Sequence, residues 1–361
     1  MATLPNRRGN RLIARNEASN LTTPAAGETD NSVSVFELAR ERPSVDLSII
    51  ICTRDRAEAL RGCLESLSQT ILNNSNIRLE LIVVNNGSTD HTRDVISSWA
   101  CSAPCPVGLI DEPRPGLGVA RNSGVRYANG KLIAFTDDDC RLGPRYLRDL
   151  IAHFQNDDVP VIRGGRVELG DPSDLPLSIK VDDFETVLRY PVHPGSIALG
   201  CNMVVPRDVF RRIGLFDERF GAGAPFKASE ETDLFFRAHL HGVPVIYVPN
   251  MSVYHFHGRK SIDVARKQYD GYFIGNGALY AKYMFSEGRL LRHLYWDLRK
   301  ALLPSRRAPR SAPELLVSRP HMMSRLFAGM FFYWATCTTE FFRRKNTHFA
   351  SRYLGERRQV R

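Results

Sequence analysis

The chain has 361 residues, 43% hydrophobic and 24% charged, which is an ordinary globular composition that predicts one large or two smaller domains. The net charge of +10 is uneven, because residues 286–361 hold 16 Lys or Arg against 5 Asp or Glu and the rest is close to neutral. A basic segment of this kind indicates an anionic partner such as a membrane surface or a nucleic acid.

The N-terminal residues carry charges but no apolar core segment, which excludes an ordinary secretory signal peptide. Residues 1–44 lack hydrophobic periodicity, so we expect a disordered or loosely ordered segment there. Of the seven cysteines, the close pair Cys101 and Cys105 lacks zinc-site spacing and has no matching second pair. We therefore expect free thiols in a reducing, cytoplasmic compartment.

From residue 45 to about residue 250, short apolar runs alternate with helical stretches. The runs are rich in Ile and Val and predict buried strands at 47–53, 79–85, 107–110, 131–136, 159–165 and 243–248. Between them, 57–70 places Leu60, Cys63, Leu64 and Leu67 on one helical face, and 143–154 opens with a proline that suits a first helical turn. This alternation predicts an α/β fold with a mostly parallel sheet flanked by helices.

Polar clusters follow three of these strands, at residues 52–56, 85–90 and 136–140. In α/β sheets, ligands bind beyond the carboxyl ends of the strands. The last cluster contains Asp137, Asp138 and Asp139, whose adjacent carboxylates repel one another. The run is either a solvated turn or a site for Mg²⁺ or Mn²⁺, with Asp137 and Asp139 as ligands beside substrate phosphates.

Two further motifs carry weaker signals on their own. The sequence GLGVAR at 116–121 has Arg121 where a dinucleotide-binding loop needs its third glycine, so we do not assign it that function. The sequence SEETDLFFRAHLHG at 229–242 predicts a helix whose first turn holds Glu230, Glu231 and Asp233. Acidic residues gather at helix N-termini because the helix dipole favours them, so this pattern alone favours a structural role.

Together, these motifs resemble the family 2 glycosyltransferases of GT-A fold over residues 45–285. The resemblance rests on the order and spacing of SIIICTRDR, VVNNGSTD, RPGLGVARNSGVRYANG, IAFTDDDC, GCNMVVPRDVF, IGLFDERFGAG, SEETDLFFRAHLHG and YHFHGR. It implies a GT-A catalytic domain at 45–285, preceded by the segment 1–44 and followed by a basic, mostly helical extension at 286–361.

The resemblance also implies roles for individual residues. The nucleotide is expected to contact Thr53, Arg56, Asn85, Arg121, Asp137 and Asp138. The family commonly has Asp where Asn85 stands, although an amide can still pair with a base edge. The Asp-x-Asp motif maps onto Asp137 and Asp139, and His255 is expected to complete a shell around Mn²⁺ or Mg²⁺. Asn202 is expected to contact the donor sugar or the acceptor.

The expected reaction is the transfer of a single sugar from a nucleotide-diphospho-sugar to an acceptor hydroxyl, with inversion. By position, Glu231 is the implied general base, with Glu230 or Asp233 as alternatives. The acceptor would be a glycan or a lipid-linked molecule of polysaccharide or glycolipid biosynthesis. One rival is a non-catalytic nucleotide-sugar-binding module. Another is a sugar nucleotidyltransferase, which needs a glycine-rich loop that residues 52–56 lack.

The apolar segment at 326–338 is shorter than the roughly 20 residues needed to span a bilayer. It is either a helix packed on the catalytic domain or an interfacial segment lying on an anionic membrane. If the segment is interfacial, we expect a peripheral protein on the inner face of the membrane. Nucleic acid is disfavoured, because no stripe of interleaved aromatic and Arg residues accompanies the basic charge.

Overall fold

The structure is a computed structural model that describes residues 34–37, 45–155, 157–302 and 317–356, without the side chains of 34–37, 300–302 and 340–356. The chain forms two compact units. The first combines residues up to Glu218 with Glu230–Lys260, and the second combines Arg219–Ser229 with the chain from Ser261 onward. This division falls after residue 260, whereas the sequence analysis placed a boundary after residue 285.

The first unit contains a ten-stranded sheet with helices between the strands. Its strands are β1 (Ser34–Glu37), β2 (Leu47–Thr53), β3 (Leu79–Asn85), β4 (Val107–Asp111), β5 (Leu132–Asp137), β6 (Cys140–Leu142), β7 (Ile162–Leu169), β8 (Thr186–Val187), β9 (Asn202–Pro206) and β10 (Val245–His255). Its helices are α1 (Ala57–Leu72), α2 (Thr92–Ala100), α3 (Leu117–Tyr127), α4 (Tyr146–Gln155), α5 (Arg207–Ile213) and α6 (Glu230–Leu240).

The strand order is β1-β4-β3-β2-β5-β9-β7-β10-β6, and β8 pairs with β10. Strands β4, β3, β2 and β5 are mutually parallel, as are β7 and β10. Strand β9 is antiparallel to both β5 and β7, because the chain enters it at the edge where β5 ends and pairs Asn202 with Thr136. The predicted α/β fold is confirmed, and the sheet is mixed.

The six predicted strands all form, and the bounds of the first two are as predicted. Strand β4 ends one residue later than predicted, at Asp111, and β5 is displaced by one residue to Leu132–Asp137. Strand β7 begins later than expected, at Ile162, and β10 continues as far as His255. Strand β9 was not predicted. Within the segment 1–44, the structure describes only Ser34–Glu37, which pairs with β4 as an edge strand, and the rest lies outside the described residues. All seven cysteines are free thiols, as expected.

The two faces of the sheet bury separate hydrophobic clusters, because successive strand residues point to opposite sides. On one face, Ile49 and Ile51 of β2 pack in a cluster with residues of α1, α2 and α4. On the other, Ile50 of β2 and Phe135 of β5 pack in a cluster with residues of α3, α5 and α6. The central strands are therefore covered on both sides, which leaves their carboxyl ends as the natural position for polar side chains.

The described residues of the second unit form three helices, α7 (Ile262–Tyr283), α8 (Arg289–Leu302) and α9 (Arg319–Glu356). Helices α7 and α9 approach closely at two glycines. A Cβ atom on Gly277 would lie 2.0 Å from the carbonyl oxygen of Leu326, and one on Gly329 would lie 2.1 Å from that of Ile274. This packing explains why α7 belongs to the same unit as α9. Among the described helices, none combines the length and apolar character that a membrane crossing requires.

We predict that Gly277→Ala lowers the free energy of unfolding by about 1–3 kcal/mol, because the added methyl group forces α7 and α9 apart. Gly271→Ala on the same helix is the matched control. Its Cβ would meet Lys227 at an ordinary 3.6 Å, so the higher helix propensity of alanine should stabilise the protein by about 0.5–1 kcal/mol. Chemical denaturation of both variants tests the prediction, and equal effects would contradict this packing.

Candidate active site

The carboxyl ends of β2, β3 and β5 meet at one edge of the sheet. Thr53 pairs in register with Asn85, and Cys52 pairs with Asp137. Parallel pairing therefore brings together the three polar clusters that are separated in the sequence. The prediction that they share one edge is confirmed.

Two of the three adjacent carboxylates are buried and share one guanidinium. Arg56 Nε lies 3.0 Å from Asp138 Oδ1, and Arg56 Nη2 lies 2.6 Å from Asp139 Oδ2. Burial raises the pKa of Asp138 to about 7. Burial also opposes ionisation of Asp139, but its hydrogen bond to His255 and the nearby positive charges lower its pKa to about 2. Asp139 is therefore the carboxylate that stays ionised here.

His255, at the end of β10, reaches the same carboxylate. Its Nε2 atom lies 3.3 Å from Asp139 Oδ1, and its Nδ1 atom lies 3.4 Å from the carbonyl oxygen of Ser178. Burial lowers the pKa of His255, but the interaction with Asp139 outweighs this effect and raises the pKa to about 9. His257 instead lies 3.6 Å from Asp174, and burial together with the charge of His255 lowers its pKa.

Asp139, Cys140 and His255 could hold a metal ion, because one ligand atom from each lies within 4.8 Å of the others. A hydrogen bond with Cys201 and burial raise the pKa of the Cys140 thiol well above its ordinary value, which disfavours the thiolate as a ligand. The Asp139 carboxylate is already ionised, and the His255 imidazole would become a ligand when a bound ion takes the place of its proton. Oxygen and nitrogen ligands at an edge open to phosphate oxygens fit Mn²⁺ or Mg²⁺. Asp137 is not part of this three-residue group, and its side chain is 36% exposed.

Arg121 joins the strand edge to the acidic helix. It comes from α3 and is buried, with Nη1 at 3.0 Å from Glu230 Oε1 and Nη2 at 3.6 Å from Asp137 Oδ1. Its guanidinium also lies over the rings of Phe135 and Phe216. A Cβ atom on Gly200 would come within 2.7 Å of Nη2, so a larger residue there would displace the guanidinium. In this structure, Arg121 contacts acidic groups of the site itself.

The three acidic residues of α6 have different environments. Glu230 is buried against Arg121, and Asp233 is fully buried with its carboxylate 2.8 Å from Arg237 Nε. Glu231 is half-buried. Burial, assisted by the charge of Glu230, raises the pKa of Glu231 to about 8, although Arg121 acts in the opposite direction. Glu231 is thus the residue of the three that combines partial exposure with a pKa suited to proton transfer near neutral pH.

At the β3 end, the structure adds a residue that the sequence analysis missed. Asn85 Nδ2 donates to Asp111 Oδ1 at 2.8 Å, and Asn85 Oδ1 accepts from the backbone of Ser88. Asp111 is the last residue of β4 and pairs in register with Asn85. The predicted strand stopped one residue earlier, at 110, and extending it would have placed Asp111 on the same edge. Asp111 supplies a carboxylate beside the position where the family commonly has Asp.

Arg259 is a second residue that the sequence analysis quoted within a motif but did not select. It is partly buried, and its charge is among the causes that lower the pKa of Asp139. Its Nη1 atom is buried without a hydrogen-bond partner among the residues that the structure describes. Because Arg259 has a donor atom without a partner and its charge acts on the candidate metal ligand Asp139, it is suited to bind an anionic ligand.

Asn202, the first residue of β9, is fully buried. Its Nδ2 atom donates to the carbonyl oxygens of Arg166 and Met251 at 2.9 and 2.8 Å, which links β9 to β7 and β10. Its Oδ1 atom has no partner within the described part of the chain. The structure therefore places Asn202 inside the sheet, and the predicted sugar contact stays a prediction.

Comparison with known proteins shows what the chain is similar to. Residues 48–214 match the family model described as glycosyl transferase family 2. The chain is 26% identical over 178 residues to the glycosyltransferase AglE of Haloferax volcanii, a match that covers 49% of this chain and 58% of AglE. It is 28% identical over 230 residues to validoxylamine A glucosyltransferase of Streptomyces hygroscopicus subsp. jinggangensis, which covers 55% of this chain and 52% of that enzyme. These matches thus span little more than half of either relative.

Solved structures extend the likeness at the level of the fold. The mannosyltransferase PcManGT of Pyrobaculum calidifontis, in complex with GDP-Man and Mn²⁺, superposes with a TM-score of 0.56 at 18% identity, over 81% of this chain and 88% of that one. TarS of S. aureus superposes with a TM-score of 0.53 at 14% identity, over 80% of this chain and 54% of TarS. These likenesses confirm the predicted GT-A fold.

We predict that Arg121→Met lowers the free energy of unfolding by about 3–5 kcal/mol, because it leaves the buried carboxylate of Glu230 without its partner. Arg126→Met, on the same helix, is the control. Arg126 is 54% exposed and lies 3.6 Å from Glu218, so its loss should cost less than about 1 kcal/mol. Chemical denaturation measures both, and a small loss at Arg121 would show that the buried ion pair contributes little.

Proposed function

This chain belongs to glycosyltransferase family 2, and we propose that it transfers a single sugar from a nucleotide-diphospho-sugar to an acceptor hydroxyl with inversion at the anomeric carbon. The observation that supports this most strongly is the position of Glu231 relative to the carboxylate edge. Arg121 contacts both Asp137, at 3.6 Å, and Glu230, the residue before Glu231, at 3.0 Å. A general base and a diphosphate-binding edge are therefore adjacent, as a transfer reaction requires.

The donor would lie along the strand edge. Thr53, Asn85 and Asp111 are proposed to contact the nucleotide base, since they end three adjacent parallel strands. Arg56 and Arg259 are proposed to contact the diphosphate, because Arg56 contacts Asp139 and the charge of Arg259 also acts on that carboxylate. Charge-assisted hydrogen bonds from guanidinium groups suit phosphate oxygens in both geometry and strength. PcManGT, which shares the fold, was solved with GDP-Man and Mn²⁺.

Asp139 and His255 would hold Mn²⁺ or Mg²⁺. When bound, such an ion offsets the negative charge that develops on the diphosphate as the sugar departs. Asp138, whose pKa is raised to about 7 by burial, contacts Nε of Arg56, whereas Asp139 contacts Nη2. We propose that Asp138 keeps Arg56 in position and, with Asp137, contacts the nucleotide rather than serving as a base.

Glu231 is proposed to accept the proton of the acceptor hydroxyl. The freed oxygen forms a bond to the anomeric carbon, and the bond between that carbon and the diphosphate oxygen breaks on the opposite face. The products are the inverted glycoside, a nucleoside diphosphate and protonated Glu231. Arg121 holds the neighbouring Glu230 in place, and the charge of Glu230 helps to raise the proton affinity of Glu231.

The sugar is proposed to be a hexose, because both validoxylamine A glucosyltransferase and the mannosyltransferase PcManGT are named for hexosyl transfer. The acceptor is proposed to be a glycan or a lipid-linked molecule. A panel of nucleotide hexoses with Mn²⁺ identifies the donor through release of the nucleoside diphosphate, which can be measured with water as a slow substitute acceptor.

We predict that Glu231→Gln lowers the rate of this release by about 10²- to 10⁴-fold, the range that general bases contribute. Donor affinity, measured by calorimetry, should change little, because glutamine keeps the size of the side chain. Glu65→Gln on the exposed surface of α1 is the control and should leave both quantities unchanged. A non-catalytic binding module would bind the donor but show no release in any variant.

The pH dependence gives the same test an independent readout. A base with a raised pKa is active only when deprotonated, so kcat/KM of the unaltered protein should fall as the pH drops below about 8. Glu231→Gln should flatten this limb. An unaltered slope in the variant would assign the ionisation to another group.

A further inference from the structure

Helix α9 exposes a row of large aromatic side chains. Phe327, Phe331 and Trp334 are 49%, 65% and 41% exposed, and their spacings of four and three residues place them on one side of the helix. We call these three residues the aromatic face. Phe332 is also exposed and lies beside Phe331, with ring centroids 6.3 Å apart. A contiguous apolar patch of this kind marks an interaction surface more often than single exposed residues do.

The opposite side of α9 is fixed by its packing on α7. Leu326 and Met330 are buried, and Gly329 brings the α9 backbone against the carbonyl of Ile274. A rotation of α9 that buried the aromatic face would bring bulkier residues into this glycine contact. The exposure of Phe327, Phe331 and Trp334 is therefore a consequence of how the second unit packs.

Charge is distributed around the aromatic face in a consistent way. No Asp, Glu, Lys or Arg occurs between Arg325 and Glu340, and Arg319 and Arg325 precede this stretch. Arg343, Arg344 and Lys345 follow it, and the helix continues through them to Glu356. The apolar stretch thus ends at one acidic residue, Glu340, and has basic residues beyond it on both sides, within a segment that carries the chain's excess positive charge.

Helix α8 also combines buried apolar residues with exposed aromatic residues that lie near arginines. Leu290 and Leu294 are buried, whereas Tyr295 and Trp296 are exposed. Arg299 places its guanidinium 5.0 Å from the centre of the Trp296 ring, and Arg292 precedes the aromatic pair. Tryptophan and tyrosine beside arginine suit the boundary between lipid headgroups and acyl chains, since the rings are amphipathic and the guanidinium binds phosphate.

We propose that the aromatic face of α9 binds the surface of an anionic lipid bilayer. Phe327, Phe331 and Trp334 insert at the level of the headgroups, and the flanking basic residues contact lipid phosphates. The insertion is shallow, because the other side of the helix packs on α7. The positive charge favours an anionic lipid surface over an uncharged partner. This inference does not depend on the proposed transfer reaction.

The test uses the full chain and vesicles of phosphatidylcholine, with or without phosphatidylglycerol, in a flotation experiment. We expect the protein to float with the anionic vesicles at low salt and to dissociate as salt screens the charges. Replacing Phe327, Phe331 and Trp334 together by Ser should weaken binding at least tenfold. The control replaces three exposed apolar residues of the first unit by Ser, namely Leu72, Val159 and Phe184, and should bind as the unaltered protein does.

A fluorescence measurement covers the case in which the triple variant folds poorly. Acyl-chain-brominated phosphatidylglycerol should quench Trp334, so in a Trp296→Phe background Trp334→Phe should lose most of the quenching while Trp99→Phe retains it. Binding that is independent of phosphatidylglycerol, or no binding at low salt, would overturn the proposal. It would also be overturned if the aromatic substitutions left flotation unchanged. Conversion of a dimer into a monomer by these substitutions, without vesicle binding, would identify the face as a self-association surface instead.

Discussion

The repulsion among three adjacent carboxylates at the end of β5 is the constraint on which the rest of the site depends. Two of them, Asp138 and Asp139, are buried, and burial would protonate both if nothing compensated for it. Arg56, which lies just before α1, contacts both carboxylates, and His255 of β10 contacts Asp139. Arg121 of α3 lies beside the third carboxylate, Asp137. The protein thus holds negative charge at a sheet edge by placing positively charged side chains next to it.

The sheet topology makes this arrangement possible. Parallel pairing of β2, β3, β4 and β5 aligns their carboxyl ends, and antiparallel β9 begins at the same edge. Strand β10 lies beyond β9 and β7 in the sheet and ends with His255, which pairs with Cys140 of β6. Because Cys140 follows β5 by only three residues, His255 lies next to the carboxylates at the end of β5. Arg121 then extends the charge network to α6, where Glu230 and Glu231 lie. Arg121 therefore links the strand edge that carries the candidate metal ligands to the helix that carries the candidate base. The charges of this network shift the pKa values of Asp138, Asp139, His255 and Glu231.

Much of this arrangement could be predicted from the sequence, because it depends on local patterns. Apolar runs defined the central strands, and the polar residues that follow them defined the edge. Other features depend on contacts between distant residues and have no local signal. Arg121 and Glu230 are 109 positions apart, and Asp111 joins Asn85 only through strand register. Strand β9 is five residues long and ends in proline, so its sequence resembles a loop. The packing of α9 on α7 depends on glycines that periodicity does not reveal.

The most direct measurement is anomalous diffraction from crystals grown with Mn²⁺ and a nucleoside diphosphate. We predict a manganese peak bound by Asp139 and His255, with the diphosphate on its open side and Arg259 donating to a phosphate oxygen. Crystals of Asp139→Asn should lose the peak. A manganese peak elsewhere, or a nucleotide bound at this edge with no metal near Asp139, would contradict the assignment of the carboxylate edge as the donor and metal site.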